Sequence, residues 1–122
     1  MSPAPSMRPA PARRSDSPRP HDLVIALQHA DGSWVLDKEF AQAVSVKLRH
    51  LERGLRDAIG DPEAARRALA TAIAITWLER HAGDTRDEWV MLAEKAARWL
   101  AACGVAPQGG GSWLDLAERV LG

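Results

Sequence analysis

The chain has one cysteine, one phenylalanine and no tyrosine among 122 residues. A lone thiol, Cys103, excludes an internal disulfide and fits a reducing compartment such as the cytoplasm. There is no net charge: sixteen lysines and arginines face sixteen acids. That balance argues against a nucleic-acid protein, which carries a basic footprint. No apolar run approaches the ~18 residues that a membrane-spanning helix needs. No segment of useful length alternates apolar and polar residues, so no strand is expected.

Proline is scarce except at one end. Residues 1–20 hold six of the eight prolines, with four arginines and one acid. A segment so poor in apolar period cannot bury a core, and residues 1–21 read as a disordered tail, dispensable for folding. Residues 22–122 then form one helical interaction domain, long enough for a modest core.

Within that domain nearly every stretch reads as helix. Asp22 is placed to cap a first short helix reaching about Gln28, and Asp37 a second that carries Phe40 and Val44. Leu48, Leu51, Leu55 and Ile59 recur at helical spacing, which predicts a third helix stopped by Gly60. Asp61-Pro62-Glu63 is a helix start: capping Asp, Pro at the first helical position, acid near the positive end. The helix it opens runs to about Ala82. Between Ala68 and Leu78 only Thr71 and Thr76 are polar, so this helix should be surrounded by others. Asp84 or Thr85 restarts the chain into a helix striped by Trp89, Leu92, Ala96, Trp99 and Cys103. After Gln108-Gly109-Gly110-Gly111, Ser112 with Asp115 resembles a capping box for a last helix bearing Trp113, Leu116 and Val120. The expected fold is all-α: a bundle of about five to six helices around a buried, Ala-rich central helix.

The most informative stretch is Gln28-His29-Ala30-Asp31-Gly32-Ser33-Trp34. Asp-Gly supplies a tight turn, Gln28 has an amide long enough to bridge two helix ends, and Trp34 is a large anchor whose N–H needs a partner once buried. Gln28, Asp31, Gly32 and Trp34, with Trp77, Trp89 and Trp99, are read as a structural motif. Trp113, Leu116 and Val120 are read as a candidate docking face, on the chain's own domain or on a partner. Gly32-Ser33-Trp34 and Gly111-Ser112-Trp113 form a faint internal echo.

No constellation carries chemistry. His21, His29, His50 and His81 do not pair at metal-ligand spacing, Cys103 sits on an apolar stripe, and the glycines lack a phosphate-loop signature. No catalytic residue, metal or cofactor is expected. Lys47, Arg49, His50, Arg53 and Arg56 make a basic helix surface, diluted by Glu52, Asp57, Asp61 and Glu63 and read as a solvated face. Nucleic-acid binding or regulation by a small helical protein is the alternative reading.

Three stretches together, 27–37 (LQHADGSWVLD), 70–89 (ATAIAITWLERHAGDTRDEW) and 93–100 (AEKAARWL), resemble the C-terminal helical region of proteins carrying a VIT domain and a von Willebrand factor A domain. A related region ends the vault poly(ADP-ribose) polymerase, where it binds the major vault protein. The resemblance implies a non-catalytic protein–protein interaction module whose partner is a VIT/von Willebrand factor A domain protein or a shell protein. It covers about residues 22–102, and neither a VIT nor an A domain is present. Gln-x-x-Asp-Gly-Ser-Trp alone also resembles the QW motif of α/α-toroid enzymes; a whole toroid needs many more helices, so an α/α-toroid enzyme fragment is the further alternative.

Overall fold

The computed structural model describes residues 20–55, 60–107 and 111–122. Among them are six α-helices: α1 (Pro20–Ala26), α2 (Lys38–Val44), α3 (Leu48–Arg53), α4 (Pro62–His81), α5 (Arg86–Ala102) and α6 (Trp113–Leu121), with a 3-10 turn at Gly83–Thr85. The described residues contain no strand, and the fold is all-α.

Local sequence explains where α4 starts. The Asp61 carboxylate accepts from the Ala64 N–H at 2.9 Å, and Pro62 sits where its missing N–H costs nothing. Every residue from Ala68 to Leu78 is buried. The alanines let neighbouring helices approach α4 closely, so the large core side chains come mostly from elsewhere: Trp34, Leu36, Phe40, Leu51 and Trp89. α4 packs most extensively against α6, then against α5, while α1 and α2 pair with each other and lean on it.

Caps fix two more elements. The Asp37 carboxylate accepts from the Phe40 N–H at 2.8 Å and starts α2. Ser112 and Asp115 bond reciprocally in a capping box that starts α6. Thr85 occupies the N-cap position of α5, but its hydroxyl donates backwards to the Ala82 carbonyl at 3.0 Å.

Three sequence expectations need correction. α1 begins at Pro20, not at Asp22, and His21 is buried, so the folded part takes in two residues assigned to the tail. Tertiary contact with α5 holds this extra half-turn. α3 does not run on to Ile59; it stops at Arg53, with Gly54 as its C-cap. A Cβ on Gly54 would lie 3.1 Å from Val120 Cγ2 and 3.3 Å from Leu69 Cδ2, so a side chain there would crowd α6 and α4. The echo around the two Gly-Ser-Trp runs is not structural. Trp34 lies in a loop before Asp37, whereas Trp113 is the first residue of α6. The expected disorder of residues 1–19, the packing of Ile59, and the link at 108–110 lie outside the described residues.

Candidate functional site

The stretch from Gln28 to Trp34 forms a joint between α1, α4 and α5. The Gln28 Nε2 donates to the Gly32 carbonyl at 3.0 Å and to the Leu92 carbonyl of α5 at 3.1 Å, so both amide hydrogens are used. Gly32 has φ +100°, and a Cβ there would sit 2.9 Å from the Lys95 carbonyl oxygen. Both the turn and the approach to α5 require glycine at this position.

Asp31 organises the rest of the turn. Its Oδ1 accepts from the Ser33 hydroxyl at 2.6 Å and from the Ser33 N–H at 3.0 Å, and its Oδ2 accepts from Arg67 Nη2 at 2.9 Å. The Ser33 hydroxyl bond is the main reason the Asp31 carboxyl is held below its ordinary range; burial opposes it, and the Ser33 N–H and the Arg67 charge add to it. Arg67 also donates to the Ser33 hydroxyl, and its guanidinium lies 5.6 Å from the centroid of the half-buried Trp99 ring.

One turn further along α4, Thr71 donates to the Arg67 carbonyl at 2.6 Å and accepts from the Trp34 N–H at 2.9 Å. The Trp34 indole is fully buried and donates to the Val24 carbonyl of α1 at 2.7 Å. The polar groups of this motif therefore act on one another and on helix backbones. Arg67 Nε is the exception, a buried donor without a partner among the described residues.

The other tryptophans are anchors of different kinds. Trp89 is buried, donates to the Ala82 carbonyl at 2.9 Å and lies under Arg86. Trp77 is buried on α4, with its ring centroid 5.0 Å from that of His81. Trp113 is buried and donates to the Val105 carbonyl at 3.0 Å. Leu116 and Val120 are half-buried against the core. The face proposed for docking thus lies against the chain's own core, and α6 is tied further by Arg80, which binds Glu118 and the Gly122 carbonyl.

Sequence reading missed one cluster. His21 Nε2 lies 3.2 Å from Glu88 Oε1 and 3.7 Å from Asp22 Oδ1. The ligand atoms of these three residues lie within 4.8 Å of one another, the spacing of a metal-ligand set among the described residues. The cluster also ties α1 to α5 through the His21–Glu88 contact. No local signal could have shown it, because 67 positions separate His21 from Glu88. No helix of the described residues is long and apolar enough to cross a membrane.

No family model matches the chain, and no solved structure matches it. It is similar to von Willebrand factor A domain-containing protein 5A of Rattus norvegicus, 35% identical over 77 residues, which are 63% of this chain and 9% of that protein. The Mus musculus counterpart is 32% identical over 77 residues, again 63% and 9%. The Homo sapiens counterpart is 29% identical over 79 residues, 65% of this chain and 10% of the relative. The chain spans about a tenth of the length of these curated relatives. Over most of its length, then, this helical chain is homologous to a short segment of a von Willebrand factor A domain-containing protein.

Proposed function

We propose that the chain is a non-catalytic helical module for protein–protein interaction that acts with, or derives from, a VIT/von Willebrand factor A domain protein in the cytoplasm. The observation that carries this reading is the similarity of 63–65% of the chain to a segment of von Willebrand factor A domain-containing protein 5A. The joint supports it too: Gln28, Asp31, Ser33 and Thr71 engage neighbouring groups of the fold, an arrangement suited to holding helices in register. A shell protein is the second partner proposed, on the sequence resemblance alone.

The test uses the full chain and von Willebrand factor A domain-containing protein 5A from which the matching segment has been deleted. If the segment docks on the rest of its protein, this chain should bind the trimmed protein in trans, at Kd on the order of 10 μM or tighter. Binding absent at tenfold higher concentration would overturn the proposal.

A further inference from the structure

Lys47, Arg49, His50 and Arg53 line one concavity at α3. All four are exposed. Arg49 and His50 stand four and three residues before Arg53 on α3, and Lys47 is its N-cap. His50 is fixed at the rim, with Nε2 2.7 Å from the Val120 carbonyl oxygen. The acid of α3, Glu52, is drawn away to Arg66 of α4 at 3.0 Å. The other Arg–carboxylate pairs among the described residues join Arg67 to Asp31 and Arg80 to Glu118. None of these pairs takes Lys47, Arg49 or Arg53.

A chain with no net charge has therefore gathered three permanent cations into one hollow. Arg49 and Arg53, four apart on a helix, repel and weaken α3 in the free chain. Carboxylates brought by a partner would turn that repulsion into attraction, with Arg forks suited to bidentate pairing. We infer that this face docks an acidic, Asp/Glu-rich segment of the module's protein partner. The inference rests on the interaction reading above and names the surface and the partner chemistry.

Nucleic acid fits the face less well. A six-residue helix extends only about 9 Å, too short to track a phosphate backbone. No Phe, Tyr or Trp lines the hollow to stack a base, and the His50 ring is held at the Val120 carbonyl.

The probe is a fluorescein-labelled decaglutamate peptide, read by anisotropy with the full chain. Binding should weaken at least about fivefold when salt rises from about 50 to 300 mM. The K47E/R49E/R53E variant should lose about tenfold or more in affinity, whereas Arg98→Glu, an exposed charge on α5, should bind as wild type. Far-ultraviolet circular dichroism checks the fold, and K47A/R49A/R53A serves where charge reversal disturbs it. Unchanged peptide binding by the folded variants overturns the inference. So does displacement of the peptide by a 20-base-pair duplex at lower concentration than by unlabelled decaglutamate. If the variants lose the peptide but still bind the trimmed von Willebrand factor A domain protein, the inference falls and the proposed function stands. If wild type binds the peptide and not that protein, the proposed function falls alone.

Discussion

The Trp34 indole N–H donates to the Val24 carbonyl at 2.7 Å, so a side chain in the loop after α1 holds the helix that precedes it. The same residue's backbone N–H reaches Thr71 on α4. One residue therefore sets the position of α1 relative to the central helix. Trp34→Ala should cost about 3–5 kcal/mol, as expected for a fully buried Trp. Trp34→Phe keeps most of the ring volume and loses one hydrogen bond, for a smaller loss of about 1–2 kcal/mol. Urea unfolding of the two variants measures both; equal losses would mean that the indole bond, and not the volume, dominates.

Gly32 makes a sharper prediction. Its φ of +100° disfavours a side chain, and a Cβ would press on the Lys95 carbonyl. Gly32→Ala should lose about 1–3 kcal/mol from the backbone conformation alone, with the clash against α5 added. Gly83→Ala is the contrast, because a Cβ there meets nothing within 4 Å and φ is not positive. That substitution should leave the thermal midpoint nearly unchanged. A Gly32→Ala midpoint as high as that of Gly83→Ala would show that the turn is not held against α5.

What could be read in advance follows from how local each signal is. Asp61-Pro62-Glu63 announces α4 because cap, proline and acid act within one turn, and the Ser112–Asp115 box announces α6 for the same reason. The end of α3 was hidden because the apolar period of Leu48, Leu51 and Leu55 continues past Gly54, and only the nearness of Val120 and Leu69 shows why glycine stands there. Arg67 carries no local signal in the sequence. In the fold it joins Asp31, Ser33 and Trp99, partners 36, 34 and 32 positions away, and no spacing rule reaches that far. The His21–Glu88 tie is more distant still.

Asp31 gives the fold a pH dependence whose sign is fixed. The Ser33 hydroxyl first, then the Ser33 N–H and Arg67, hold its carboxyl below the ordinary 3.8 in the folded chain. A depressed carboxyl contributes stability that is present above the unfolded value and is lost as pH falls through the folded one. Asp31→Asn should therefore be less stable than wild type near neutral pH. The gap in thermal midpoint between the two should narrow as pH drops below 3.8. The carboxylate is half exposed, so the effect should be modest and smaller in high salt. A gap that stays constant from neutral pH down to about 3 would remove the charge of Asp31 from the account.

The last helix should open more readily than the central one. α6 has nine residues, too few to persist alone in water, so it depends on what Trp113 and Ala117 bury. Its hold is the packing on α4, the Trp113 indole bond to Val105, the His50 contact with the Val120 carbonyl, and the Arg80 ties near the C-terminus. Residues 68–78 of α4 are instead buried on every side. Hydrogen exchange measured by mass spectrometry should show faster amides in 113–121 than in 68–78, by about tenfold or more for a difference of about 1.4 kcal/mol in opening free energy. Arg80→Ala removes the ties to Glu118 and Gly122 and leaves Trp113 in place, so it should speed exchange in α6 without touching α4. Equal protection of the two helices in wild type, unchanged by Arg80→Ala, would make α6 part of the same cooperative unit as the central helix.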